Sequence, residues 1–280
     1  DSQGLPTSKS YPASQGSLKS TAQPGSTGSA LGNSAVQPKT VALVMKTLTN
    51  PFFVEMERGA RRAEGELGVD LIVRTAASET SIQQQIGIVA DLIRDKVDAI
   101  VIAPGDSVEL IPILRKAQQA GIVVVNIDNR LDPAYAAKNG LSGVPFISVD
   151  NRISAYRSAK YIANQIQGSA NALIMEGIRG AHNSQARKQG AMDAFAEHPE
   201  INVLRVESGH WKIAEGRALM TRWLEQYPQV NLVFAANDMM AFGVLEALKE
   251  AGRDDVLVSS FDALQPARQA IREGRLQATV

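Results

Sequence analysis

The 280-residue chain has no cysteine, which excludes disulfides, thiolate nucleophiles and cysteine-held metals and fits either redox compartment. An excess of charge is missing too. Lys+Arg 29 balance Asp+Glu 29 for a formal net charge of +0, so no global field draws the chain to nucleic acid or to an anionic membrane. A small or neutral partner is expected, and no direct membrane insertion. No run approaches the roughly 18 apolar residues of a membrane span, and no basic-then-apolar leader opens the chain. Starting at Asp1 rather than Met, the chain reads as processed, trimmed or partial. The hydrophobic fraction of 44% against 21% charged residues is ordinary for a globular protein long enough for one large or two medium domains.

Residues 1–39 are dominated by Ser, Gly, Thr and Pro, with no period that could bury a face, and read as a flexible tether. From Thr40 the texture changes to short β-branched runs alternating with amphipathic stretches, the pattern of βα units feeding a parallel sheet. Strands are expected at 41–45, 69–73, 98–103, 122–127, 146–149, 171–175, 231–235 and 256–260, with a weaker one at 202–206. Helices are expected at 51–67, 80–95, 107–120, 151–167, 184–197, 212–227, 238–251 and 264–273. The alternation runs through twice, with an irregular connection at 128–145, and predicts two doubly wound α/β lobes at 40–148 and 149–280.

In such sheets a ligand crevice lies beyond the carboxyl ends of the strands. The residues there are unusually polar: Lys46 to Asn50, Asp128-Asn129-Arg130, Asp150-Asn151, Glu176, Asn237-Asp238 and Asp262. Each could also cap a helix or close a turn, but together they favour a polar crevice. Enzyme chemistry is poorly provided for. KTLTNPFF after the first strand has no glycine for a pyrophosphate turn or phosphate loop, and no G-x-S-x-G elbow exists. His182, His198 and His210 have no metal spacing. Asp128, Asp150 and Asp262 could form acid/base pairs, yet carboxylates round a crevice equally well accept hydrogen bonds from sugar hydroxyls. Neither cofactor nor metal is expected.

Asn50-Pro51-Phe52-Phe53 is the sharpest local signal. Asn50 is a competent N-cap and Pro51 suits a first helical turn, but capping does not explain two adjacent rings. At different azimuths one can pack inward while the other faces the cleft, and rings stack on the apolar C–H faces of a sugar while amides and carboxylates bind its hydroxyl rim. Trp211 could supply the opposite face, or be an interdomain packing aromatic.

The segments TLTNPFFVEMERGARRAEGELG, VDAIVIAPGDS, GIVVVNIDNR, ISVDN, FAANDMMAFGVLEAL and VLVSSFDA resemble the type I periplasmic sugar-binding proteins, and most closely the ribose-binding family that serves ABC importers. The resemblance runs from about Lys39 to Val280. It implies sugar contacts at Asn50, Phe52, Phe53 and Asp128 in the first lobe and at Arg187, Trp211, Asn237 and Asp262 in the second, lobes that close about a hinge, an ABC permease as partner, a monomer and a periplasmic address. Departures from the ribose pattern are Asn129 for an Arg, Ala103 for an Asn and Lys46 for a Ser. Lys46 and Asn129 therefore join the expected ligand-binding set, and the rewritten pocket suits another pentose or hexose, a deoxy sugar or a polyol, since an unpaired buried group costs about 1–3 kcal/mol. In the resembled family a third crossing between lobes, with a Gln contact, follows the strand that LQATV begins; the sequence stops there, implying C-terminal truncation and an uncovered strand edge in the first lobe.

Two other roles share this fold. A lactose-repressor-type core would follow a helix-turn-helix, whereas residues 1–39 offer only Lys9, Lys19 and Lys39 to phosphates. A sensory domain signalling to a chemoreceptor or kinase is not separable by sequence. As rim residues, Arg187 and Asp262 are expected to tolerate replacement by Ala without loss of the fold.

Overall fold

The computed structural model describes residues 37–280, and the expected tether falls largely outside them. From Pro38 to Val280 the chain is one unit built on two parallel sheets. The first lobe contains β1 (Thr40–Met45), α1 (Pro51–Leu67), β2 (Asp70–Thr75), α2 (Ile82–Arg94), β3 (Ala99–Ile102), α3 (Ile111–Gln119), β4 (Val123–Ile127), α4 (Pro133–Lys138) and β5 (Phe146–Ile147). The second contains α5 (Asn151–Ala163), β6 (Ala170–Glu176), α6 (His182–Ala196), β7 (Ile201–Ser208), α7 (Ile213–Gln226), β8 (Leu232–Ala235), α8 (Asp238–Glu250), β9 (Leu257–Ser259) and α9 (Gln265–Arg272). Strand orders are β2-β1-β3-β4-β5 and β7-β6-β8-β9.

Strand alternation explains the layering. In β1, Ala42 and Val44 face one side, with Val89 and Leu92 of α2 and Leu114 of α3, while Leu43 and Met45 face the other, with Phe53, Met56 and Ala60 of α1. With helices on both faces the strands are nearly continuous apolar runs, as parallel sheets require. In the second lobe one larger cluster joins Leu173 and Ile174 of β6, Phe195 of α6, Trp223 of α7 and Val233 of β8.

The irregular stretch expected at 128–145 contains a short helix, α4, whose first turn was legible: Asp132 caps it by accepting from Tyr135 N at 2.7 Å and Pro133 occupies the first turn. The expected helix at 107–120 starts only at Ile111, because 107–110 form a turn, and α5 ends at Ala163 rather than 167. Strand β5 is cut to two residues at the edge of its sheet, with Ile147 and Val149 exposed. Beside β9 the final segment pairs in parallel, Gln277 N donating to Val258 O and Asp262 N to Val280 O.

Two helix crossings rest on glycine. A Cβ at Gly190 would lie 2.2 Å from Arg152 O of α5, and one at Gly243 would lie 2.2 Å from Ile213 O of α7. Gly59 in α1 has open space instead. Alanine is ordinarily the better helix former by about 0.5–1 kcal/mol, so Gly59→Ala should stabilise by that amount. Gly190→Ala and Gly243→Ala should destabilise by about 1–3 kcal/mol through forced separation of the helices. Urea unfolding midpoints of the three variants check the reversal of sign.

Candidate functional site

Both sheets point their carboxyl ends at one cavity between the lobes. Its walls carry Lys46 after β1, Asn50, Phe52 and Phe53 at the start of α1, Glu79 before α2 and Asp128 after β4. From the other lobe come Asn183 and Arg187 of α6, Trp211 after β7, Asn237 after β8 and Asp262 after β9. Its lining of charged, amide and aromatic side chains suits a small polar molecule. Three walls sit where the chain turns sharply off a strand into left-handed backbone: Asp128 at φ 60, Trp211 at φ 67 and Asp262 at φ 109. Such conformations cost about 1–3 kcal/mol each for non-glycine residues and collect at ligand sites.

Local structure fixes the amides. Asn50 caps α1, its Oδ1 accepting from Phe52 N at 3.1 Å, and its Nδ2 donates to Glu79 Oε1 at 3.0 Å. Asn237 caps α8 by accepting from Met240 N at 2.9 Å and donates to Trp211 O at 3.3 Å. Both therefore carry the capping role and the cavity role at once. Phe52 and Phe53 meet edge to face at 5.2 Å between centroids, Phe53 buried against β1 and Phe52 half-buried.

Two buried ion pairs face the cavity. Lys46 Nζ lies 2.7 Å from Asp128 Oδ2, and Arg187 Nη1 lies 3.1 Å from Asp262 Oδ1. Arg187 also donates from Nε to Asn151 Oδ1 at 2.9 Å and from Nη1 to Ala236 O at 2.9 Å, and its guanidinium stacks 3.6 Å from the Phe261 ring centre. Arg187 is thus buried and not the exposed rim residue expected, and truncating one partner of such a hydrogen-bonded pair costs about 3–5 kcal/mol.

Trp211 is 4% exposed and part of the second lobe's apolar cluster, seated over Gly177, where a Cβ would come 2.1 Å from the indole. It is a packed wall of the cavity as well as a core residue. Its Nε1, Asn183 Oδ1 and Asp128 Oδ2 are buried without a hydrogen-bond partner, the last close to Lys46 but not in bonding geometry. Natural interiors rarely leave such groups unmatched.

Of the residues expected at the site, Asn129 alone is absent from the cavity wall. The left-handed turn at Asp128 redirects the chain, and Asn129 is fully buried with its Nδ2 on Pro104 O at 3.1 Å and Ser107 Oγ at 3.3 Å. Ala103 is likewise core. Among the other polar strand ends, Asp150 caps α5, Glu176 pairs with Arg179 and Lys188, and Asp238 receives Ser260, Thr279 and Leu264 N. Glu79 and Asn183 were missed because β2 runs on to Thr75 and α6 begins at His182, two residues beyond each expected boundary.

Burial pushes the Glu79 carboxyl up, against the pull of Lys46, the Asn50 amide and Arg187 and with the push of Asp128. Burial also pushes Asp262 up to about 8, with Arg187 opposing. Among the described residues no cluster of His, Asp and Glu could hold a metal ion.

Two parallel-sheet lobes around a buried cavity of carboxylates, amides, cations and rings define a two-lobed solute-binding protein. Residues 41–280 match the family model described as a periplasmic binding protein domain. The D-ribose/D-allose-binding protein of Pseudomonas aeruginosa is 38% identical over 242 residues, 85% of this chain and 75% of its own length. An ABC transporter solute-binding protein from Burkholderia multivorans superposes with TM-score 0.84 at 39% identity, covering 87% of each chain. Another, from Actinobacillus succinogenes with bound D-allose, superposes with TM-score 0.80 at 39% identity, covering 85% of this chain and 83% of its own. The chain belongs to the type I periplasmic sugar-binding proteins, the ribose-binding-like substrate-binding components of ABC importers. Proteins of this family work outside the cytoplasm, and among the described residues no helix is long and apolar enough to cross a membrane.

A carboxylate raised in the folded state keeps its proton after the unfolded chain has released its own, so the fold loses stability as pH rises above the ordinary glutamate value of 4.5. Glu79→Gln is neutral at every pH. Its melting temperature should therefore gain on that of the parent protein as pH is raised from about 4 to about 8, as read by differential scanning fluorimetry. A gap that stays constant across the series would show that Glu79 is not held neutral.

Proposed function

We propose that the cavity binds one monosaccharide, an aldopentose or aldohexose, and that Lys46, Asn50, Phe52, Phe53, Glu79, Asp128, Asn183, Arg187, Trp211, Asn237 and Asp262 touch it. The observation that carries this reading is the set of buried polar atoms left open at the cavity, Trp211 Nε1 as donor and Asn183 Oδ1 as acceptor, beside the ion-paired carboxylate of Asp128. A sugar hydroxyl both donates and accepts, so a ring of hydroxyls can satisfy both atoms while its C–H face lies on Phe52. Ligand then favours the shut cleft by binding it better than the open one. The protein acts as a binding component and not as an enzyme: the walls hold carboxylates in ion pairs or hydrogen bonds and present no nucleophile. It works as a monomer that hands its sugar to a permease, with lobes 40–148 and 149–280 moving as bodies and residues 1–39 as tether.

The relatives' named ligands, ribose and allose, set the first arms of the test. A thermal-shift panel of pentoses, hexoses, deoxy sugars and polyols should find at least one ligand, which at 100 times its dissociation constant adds about 2.7 kcal/mol. A panel in which no sugar shifts the protein overturns the reading, and a response to polyols alone replaces the monosaccharide with an open-chain ligand. Trp211→Phe removes an N–H that has no partner in the empty protein. It also removes indole ring atoms seated over Gly177, so the ligand-free protein should lose about 1–3 kcal/mol of stability while staying folded, and sugar binding should weaken by about 1 kcal/mol, roughly fivefold, measured by calorimetric titration.

A further inference from the structure

Beside the cavity, the lobes meet through a second set of polar contacts centred on the N-terminus of α6. A helix leaves its first N–H groups without partners inside the helix, and a side chain at the N-cap ordinarily takes one of them. The N-cap residue of α6 is Ala181, in extended backbone at φ -96 and ψ 125, and it has nothing to offer. The partners come from the other lobe. His182 N donates to Ser107 Oγ at 2.9 Å and Asn183 N donates to Asn129 Oδ1 at 3.1 Å. In the same place Ser107 N donates to Gly180 O at 3.0 Å, and Gly180 lies so close to Asp106 that a Cβ there would meet Asp106 Oδ2 at 2.1 Å.

The two capping side chains are held in position within their own lobe. Asn129 donates to Pro104 O at 3.1 Å, its backbone carbonyl accepts from Asn126 Nδ2 at 2.8 Å, and Ser107 O accepts from Asp132 N at 2.8 Å. Asn129 directly follows Asp128, and α6 carries Asn183 and Arg187 four residues apart on the face turned to the cavity.

We propose that Ser107 and Asn129 are positioning residues for sugar recognition: they cap α6 across the cleft, so the helix that presents Asn183 and Arg187 is completed only when the lobes are shut. This rests on the reading of the cavity as a sugar site. Neither residue touches the sugar. Opening the cleft hands the N–H groups of His182 and Asn183 to water, and closing it transfers them to preset acceptors. The cap therefore favours the shut form whatever the sugar's identity, while the cavity walls choose the sugar.

The test uses the 280-residue chain and the sugar found by the thermal-shift panel. Ser107→Ala should weaken binding about fivefold, through faster release with an unchanged association rate, and by the same factor for each sugar bound. The ligand-free melting temperature should stay within about 1 °C of the parent's. Ala181→Ser gives α6 a cap of its own; in its presence the loss caused by Ser107→Ala should shrink to less than about twofold. Affinity within about twofold of the parent for Ser107→Ala alone, or the same loss with and without Ala181→Ser, would overturn the proposal. A ligand-free melting temperature that falls along with affinity would also sink it, since the serine would then serve its own lobe. The chain has no cysteine, so one introduced on each lobe allows specific labelling for interlobe energy transfer. Ser107→Ala should lower the shut fraction of the empty protein, a readout that stands even if no sugar on the panel binds.

Discussion

Arg187 holds the second half of the site together. From one helix its guanidinium reaches Asn151 on α5, the carbonyl of Ala236 after β8 and the carboxylate of Asp262 after β9, while Phe261 and Trp211 lie against its faces. Four separate stretches of chain are thereby set relative to one charge. The planar fork makes this possible, since a lysine could neither bond along fixed directions nor stack. The Lys46–Asp128 pair is its counterpart on the first lobe, and the cavity is the space between the two pairs.

A site of this kind is in tension with its surroundings. Burying Glu79, Asp128 and Asp262 beside two cations leaves one more carboxylate than there are counter-charges, and burial raises Glu79 and Asp262 accordingly. Left-handed backbone at Asp128, Trp211 and Asp262 adds strain at the same points. On the cavity residues, buried Trp211 Nε1 and Asn183 Oδ1 lack hydrogen-bond partners. Rigid, well-filled layers on either side sustain these costs.

The contact at the head of α6 adds a division of labour. Cavity walls distinguish ligands because each buried group must find its match. Across the cleft, the Ser107 and Asn129 side chains accept from backbone N–H groups, which carry no information about the sugar. The Asn129 amide is off the cavity wall and meets the backbone of α6 at the lobe interface instead.

Much of this was legible in the sequence. The alternation of β-branched runs with amphipathic stretches determined the βα units, because a strand covered on both faces has to be apolar throughout, and the polar residues after those runs marked the crevice. Asn50, Pro51 and the paired Phe52 and Phe53 announced the first helix and one wall of the site together. Even α4 could have been read from Asp132-Pro133. Other features depended on the tertiary structure. Asn129 reads as a pocket residue until the left-handed turn at Asp128 sends it inward, Trp211 is both core and wall because Gly177 admits its ring, and Arg187 is a buried hub where sequence suggested a rim. Glu79 and Asn183 enter the site through two-residue differences in where an element starts or stops. Sequence periodicity fixes which face of an element is apolar, but the direction in which a residue at an element's end points is set by backbone angles that only the packed lobes impose.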